Sequence, residues 1–91
     1  MKIVSLLLTL TALDDCWIRS TMDGGDPRER LLKPNESLTL HASDEAVLRI
    51  GNPAALLLQI NDRPAKTLGE AGRAVTARIT RANYLDFLSG N

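Results

Sequence analysis

Residues 4–11 read VSLLLTLT, and this alternation of apolar and polar side chains decides the fold. The same period of two recurs at residues 37–40, 45–50 and 75–79, with turn-forming residues between these runs. Successive side chains of a strand point to opposite faces, so each run predicts a strand with one buried face. Several short strands joined by turns predict an all-β fold, a small antiparallel sandwich of about seven strands.

The composition is that of one small globular domain spanning residues 1–91, with its strands over about 3–80. Aromatic residues make up only 3% of the chain, so the core is expected to be aliphatic. Eleven basic and eleven acidic residues cancel. A chain without a basic excess is not expected to bind nucleic acid or an anionic membrane surface through this domain.

The sequence is compatible with two structures at each end of the chain. The apolar N-terminal run resembles a signal sequence, but its strand-like spacing and the acidic pair Asp14–Asp15 favour a first strand over residues 3–12. At the other end, Thr80 can cap a short helix over 81–88, a C-terminal helical turn with Tyr84, Leu85 and Leu88 on one side. The alternative for this tail is a frayed terminus.

Turn and edge signals divide the rest of the chain. The glycine-rich segment 23–27 and the segment 33–36 are predicted turns, and Asn61–Asp62 is a candidate two-residue hairpin loop. The charged segment 28–32 and the segment around Pro64 have the character of edge strands, because charge and proline both discourage further pairing.

Residues with catalytic or metal-binding chemistry are few. Cys16 is the only cysteine and is interpreted as a small buried hydrophobe. His41, Ser43 and Asp44 formally supply a catalytic triad, but they lie within four residues of one another, whereas working triads gather partners from separate elements. We therefore predict no enzymatic activity, no metal site and no cofactor, and interpret His41 as a solvated loop residue.

Trp17 is the first candidate contact residue. If Cys16 and Ile18 face the core, strict alternation places Trp17 and Arg19 outward, and both residue types are enriched in binding hot spots. The favoured interpretation is nevertheless that Trp17 covers a sheet edge or packs under the C-terminal helix, since large apolar groups usually serve packing. Arg49 joins Trp17 and Arg19 in the candidate surface.

Leu57 marks a second candidate surface. Residues 54–58 read AALLL, so both faces of this strand are expected to be covered. The favoured cover is the C-terminal helix around Tyr84 and Phe87, and the alternative is a partner chain.

Four short motifs follow one another along the chain: residues 15–19 (DCWIR), 31–40 (LLKPNESLTL), 48–53 (LRIGNP) and 58–64 (LQINDRP). Their order and spacing resemble those of the C-terminal domain of RodZ-like proteins, a bacterial family linked to cell shape and the cytoskeleton. The family pattern is similar: a Cys or Ser before Trp, a Leu-x-x-Gly-Glu turn, an Ile-Gly-Asn loop and an Asn-Gly-x-Pro hairpin. Asn35 and Asp62 stand where the family usually has glycine, and both tolerate positive φ.

The resemblance implies an immunoglobulin-like extracytoplasmic module without enzymatic residues. Family members typically carry a cytoplasmic helix-turn-helix domain, one membrane span and a linker, so this chain is expected to be the outer domain or a truncated relative. The expected location is periplasmic, with membrane attachment only through a span absent from this chain. The expected partners are envelope or peptidoglycan-synthesis proteins. The alternative function is a stand-alone domain that binds a small ligand, a carbohydrate, between the sheets or against Trp17.

Overall fold

The computed structural model describes residues 6–89, which form a sandwich of two antiparallel four-stranded sheets. The strands are β1 (Leu6–Ala12), β2 (Cys16–Met22), β3 (Arg28–Leu32), β4 (Ser37–Ala42), β5 (Glu45–Ile50), β6 (Leu56–Ile60), β7 (Arg63–Pro64) and β8 (Val75–Thr80). The predicted all-β sandwich is confirmed, with eight strands instead of about seven because the two-residue β7 counts as one. The part of the predicted first strand at residues 3–5 lies outside the described residues.

The two sheets have the strand orders β4-β1-β6-β7 and β3-β2-β5-β8. The pairs β1–β4 and β2–β5 correspond to the B–E and C–F pairs of immunoglobulin sandwiches. In the same comparison, β3 beside β2 takes the place of C′, and β8 beside β5 that of G. The difference is that β6 occupies the position next to β1 where an A strand would lie.

Alternation along the strands builds the core as predicted. Leu6, Leu8 and Leu10 on β1 are fully buried, and they meet Ile18 on β2 and the residues of β5 that face inward. The core is aliphatic: the fully buried large side chains are leucines and isoleucines, with Pro53 and Cys16. Burial of each such Leu or Ile contributes about 1.5–3 kcal/mol, which makes these positions the main source of stability.

Two predicted turns are confirmed by their backbone angles. Asn61 and Asp62 both have positive φ, 53° and 66°, as a type I′ hairpin loop requires, and they join β6 to β7. Asn35 has a φ of 70° in the turn between β3 and β4. The prediction that His41 lies in a loop is wrong, because β4 extends through His41 to Ala42.

The predicted helix over 81–88 is reduced to one helical turn. After β8 the chain makes a turn and one 3₁₀ helix, Tyr84–Phe87, and the backbone then pairs with the β7 segment. Lys66 N–H donates to the Phe87 carbonyl (2.8 Å), Ser89 N–H donates to the Pro64 carbonyl (3.0 Å), and Ala65 and Leu88 form a bridge. A helix of two turns is marginal alone, and the open β7 edge offers its backbone better-placed partners.

This C-terminal segment closes one side of the sandwich, between the β7 and β8 edges. Tyr84, Phe87 and Leu88 pack against the core there. The opposite side, between the β3 and β4 edges, stays open to solvent as a groove. No helix among the residues described is long and apolar enough to cross a membrane.

Candidate interaction surface

The outer face of the β3-β2-β5-β8 sheet, here called the charged face, brings together three of the four predicted site residues. Trp17 and Arg19 lie on β2 and point away from the core, as strict alternation predicts. Arg49 on β5 is the cross-strand partner of Arg19. The remaining outward positions on these strands include both acidic and basic residues: Glu29, Leu31, Glu45, Val47, Thr76 and Arg78.

Trp17 is exposed over 37% of its surface and does not pack under the C-terminal segment. The prediction that Trp17 packs under the C-terminal helix is therefore wrong, and its side chain lies on the outer face of the sheet. Leu31 lies opposite it on β3 and is 48% exposed, so the two side chains form one apolar patch. On the β5 side of Trp17, Gly51 N–H donates to the Trp17 carbonyl (2.8 Å). Because Gly51 has no side chain, it does not cover the indole, and the Trp17–Leu31 patch is exposed to solvent.

Arg19 is held in place by two neighbours. Its Nε and Nη2 donate to one Glu29 carboxylate oxygen at 2.9 and 2.5 Å, and its guanidinium lies 5.9 Å from the centre of the Trp17 ring. Exposed ion pairs and cation–π contacts each contribute up to about 1 kcal/mol. The pair therefore orders the guanidinium beside the indole more than it stabilises the fold.

Arg49 has no carboxylate partner among the described residues. Its Nη1 donates to the Thr76 hydroxyl (3.0 Å) on β8, and Arg19 faces it across the strand pair. Farther along the sheet, Arg78 pairs with Glu45 and so is neutralised. Arg49 therefore carries the positive charge that no carboxylate neutralises on the described part of this face. It lies near the Trp17–Leu31 patch.

Leu57 lies on the other sheet, so it does not join this surface. It is 53% exposed on the outer face of β6, between the buried Leu56 and Leu58. The prediction that the C-terminal segment covers it is wrong, because that segment packs at the β7–β8 side instead of over the sheet. Its neighbours across the strands are uncharged: Thr11 lies opposite Leu57, and Thr9 lies opposite Gln59.

Sequence reasoning missed two members of the charged face, Glu29 and Leu31. Segment 28–32 was recognised only as a charged edge strand. Alternation within it does separate Glu29 and Leu31 from Arg28, Arg30 and Leu32, but only the register with β2 shows which set lies beside Trp17.

The residues considered for chemistry lie apart from this face. Cys16 is buried, as predicted, and its thiol lies 3.5 Å from the Asn52 carbonyl. His41 is exposed on β4, at the edge of the other sheet. Among the described residues, no group of three or more His, Cys, Asp or Glu side chains is placed to hold a metal ion.

Asp23 has a structural role that the sequence did not reveal. Its carboxylate accepts backbone N–H bonds from Ser43 (2.8 Å), Asp44 (2.7 Å) and Glu45 (3.0 Å). These three bonds, led by the one from Ser43, hold the pKa of Asp23 below its usual value. The carboxylate thus ties the turn after β2 to the connection between β4 and β5.

Comparison with protein-family models matches residues 9–80 to the model described as the RodZ C-terminal domain. The matched range includes most of β1 and all of β2 to β8, together with Trp17, Arg19, Arg49 and Leu57. Comparison with curated proteins and with solved structures gives no match.

Proposed function

The chain belongs to the RodZ C-terminal domain family, and from this premise we propose that it is a non-catalytic interaction module of a RodZ-like cell-shape protein. In this role the domain works by contact, without a cofactor and without a chemical step. The surface that makes the contact is the charged face, centred on Trp17, Arg19 and Arg49.

The observation that carries this proposal is the exposure of Trp17. The chain has one tryptophan and three aromatic residues in all, and the tryptophan lies on the outer face of its sheet beside exposed Leu31. Burying a large aromatic side chain is the strongest single contribution that such a surface can offer a partner. Arg19, ordered beside the indole, and Arg49 supply charge around this apolar centre, which is the usual arrangement of a contact site.

We place the domain outside the cytoplasm, attached to the inner membrane through a span outside these 91 residues. The proposed partners are envelope proteins or proteins of peptidoglycan synthesis. Nucleic acid is not among them, because the formal net charge is zero and the charged face mixes both signs. The support for the location is the family membership and what the resemblance implies.

The test of the contact role is cell shape. In a bacterium that makes this protein, the chromosomal Trp17→Ala variant is expected to reproduce the change in cell length and width caused by deleting the gene. Leu85→Ala is the matched control, because Leu85 is 59% exposed and lies in the C-terminal 3₁₀ helix, away from the charged face. Immunoblots show whether both variants reach the normal level. Normal shape with Trp17→Ala at normal level contradicts the proposal.

The test of location uses an antibody raised to this domain. Fractionated cells are expected to contain a membrane-bound species larger than the 9.9 kDa of this chain, and protease added to spheroplasts is expected to remove the epitope. A free species of about that mass contradicts the anchored placement and favours a stand-alone binding domain.

Carbohydrate binding is the second candidate function, and exposed Trp17 is the observation that favours it, since indole rings stack on sugars. The aliphatic core fills the centre of the sandwich, and a groove stays open between the β3 and β4 edges. Trp17 lies outside that groove, and it is the place where an indole ring is exposed for stacking on a sugar. Titration with soluble peptidoglycan fragments, followed by amide shifts of residues around Trp17, tests this function. An unchanged amide spectrum would exclude carbohydrate binding.

A further inference from the structure

The open side of the sandwich contains a groove that the proposed contact surface does not use. Two adjoining cavities of about 410 and 360 Å³ lie there and share four lining residues, Ser20, Arg28, Thr39 and Leu40, so they form one continuous depression. Each volume is in the size range of protein ligand sites. One wall is β3 and the other is β4.

Both walls are strands with a free edge. Within residues 6–89, β3 pairs only with β2 and β4 pairs only with β1, so each is the last strand of its sheet there. Alternate backbone N–H and C=O groups of an edge strand point away from the sheet and can pair with an added strand. Binding of an extended peptide to such an edge is a common mode of peptide recognition.

The β3 wall has two arginines whose charges are not used within the described residues. Arg28 and Arg30 alternate with Glu29 and share a face with buried Leu32, so they line the groove while Glu29 points outward to Arg19. Neither arginine forms an ion pair or side-chain hydrogen bond with another described residue. The acidic residues that line the groove are Asp26, at one end, and Glu29, whose carboxylate is engaged by Arg19.

We infer that this groove binds an extended acidic peptide segment, which adds to the edge of β3 as a fifth strand. Arg28 and Arg30 are two residues apart on one strand, a separation of about 6.6 Å. Carboxylates at alternate positions of an added strand have the same spacing, so two of them lie opposite the two arginines. Arginine recognises carboxylates through paired hydrogen bonds, which fixes the register of the added strand.

The charge of this edge also excludes the most obvious competitor, a second copy of the same strand. Pairing β3 with β3 of another molecule brings arginines toward arginines, and like charges across a strand pair destabilise it. An acidic strand reverses the sign of this interaction. The groove lies on the inner side of β3 and the charged face on the outer side, so this inference stands independently of the role proposed for Trp17.

The experiment is a titration of the ¹⁵N-labelled 91-residue chain with the peptide acetyl-TEVEVET-amide. We expect amide shift changes concentrated at 28–32 and 37–42 and slower hydrogen exchange of β3 amides. The double variant Arg28→Glu/Arg30→Glu is expected to weaken binding about tenfold or more. The control, Arg63→Glu/Lys66→Glu, makes the same charge change at exposed positions near the opposite edge and is expected to keep the affinity.

Several results overturn the inference. They are equal binding of the peptide with lysine in place of glutamate, an equal loss of affinity in the control variant, and shifts centred on Trp17. If inorganic phosphate alone produces the same shifts and the peptide does not slow β3 exchange, the groove is a simple anion site and strand addition is wrong. Should the double variant fail to fold by circular dichroism, Arg30→Gln alone is expected to weaken binding measurably, and unchanged affinity contradicts the inference.

Discussion

Arg19 and Arg49 lie directly opposite each other on β2 and β5, and each donates away from the other. Arg19 is tied to Glu29 on β3, and Arg49 is tied to the hydroxyl of Thr76 on β8. Like charges facing each other across a strand pair are unfavourable, so this arrangement costs stability. Exposed residues that lower the stability of the fold are expected in a contact surface, where they are kept for binding. The repulsion between Arg19 and Arg49 fits this expectation.

Replacing Arg49 tests whether its repulsion from Arg19 lowers the stability of the fold. Arg49→Glu changes a repulsive cross-strand pair into an attractive one, and we expect the free energy of unfolding to rise by about 0.5 kcal/mol. Urea denaturation measures the change. Arg63→Glu is the control, because Arg63 lies opposite the apolar Ile60 on an edge strand and its replacement is expected to leave stability nearly unchanged. A decrease in stability with Arg49→Glu contradicts the account of this pair.

Trp17 is expected to be dispensable for folding. Trp17→Ala removes contacts with Leu31 and Arg19 on the surface, and the expected loss is about 1 kcal/mol. Ile18→Ala, one position along the same strand, removes a fully buried side chain and is expected to cost about 2–5 kcal/mol. Equal losses in the two variants, measured by urea denaturation, would place Trp17 in the core and end its candidacy as a contact residue.

Asp23 predicts a dependence of stability on pH. Because its pKa is lowered in the folded state, its contribution is fully present above the usual carboxyl pKa of about 4 and is lost as the pH falls through the lower folded value. Asp23→Asn is therefore expected to destabilise the protein at pH 7, with a difference from the unmodified chain that shrinks below about pH 4. Asp26→Asn is the matched control, since Asp26 makes no side-chain bond with another described residue. A difference that does not vary with pH contradicts the role of the carboxylate.

The hairpin loop predicts a stabilising substitution. Asp62 has a φ of 66°, where glycine is free of the steric penalty that an L side chain meets. Asp62→Gly is expected to stabilise the fold by about 0.5–1 kcal/mol. Asn61→Gly serves as the contrast, because the Asn61 side-chain oxygen accepts a hydrogen bond from Leu7 N–H (2.9 Å), so removing it is expected to offset the gain. Thermal unfolding of the two variants compares them directly, and a fall in Tm with Asp62→Gly contradicts the prediction.

Local pattern predicted the parts of this fold that depend on local physics. Alternation placed Leu6, Leu8 and Leu10 inside, and the Asn61–Asp62 pair predicted a loop with two positive φ angles. The assignment of strands to sheets depends on pairing between distant segments, which no local pattern encodes. For that reason Leu57 could be named as an exposed candidate or a covered residue, but not assigned to the opposite side of the sandwich from Trp17.

The secondary structure of residues 81–88 could not be predicted for a related reason. Residues 81–88 have the spacing of a helix with an apolar side, yet the backbone around Leu88 pairs with the β7 segment, which is distant in sequence. Tyr84 and Phe87 are partly buried against the core at the β7–β8 side, whereas the sequence predicted that they cover residues 54–58. The groove beside Arg28 and Arg30 was likewise invisible, because it exists only where β3 and β4 from different sheets lie side by side.

The most direct test of the central claim is photo-crosslinking in living cells from each outer face in turn. A photoreactive phenylalanine analogue replaces Trp17 in one strain and Leu57 in another, since these two exposed side chains lie on opposite sheets. We expect a discrete crosslinked species from position 17 and none from position 57. Crosslinking from position 57 alone, or from neither position in cells of normal shape, would contradict the assignment of the charged face as the contact surface.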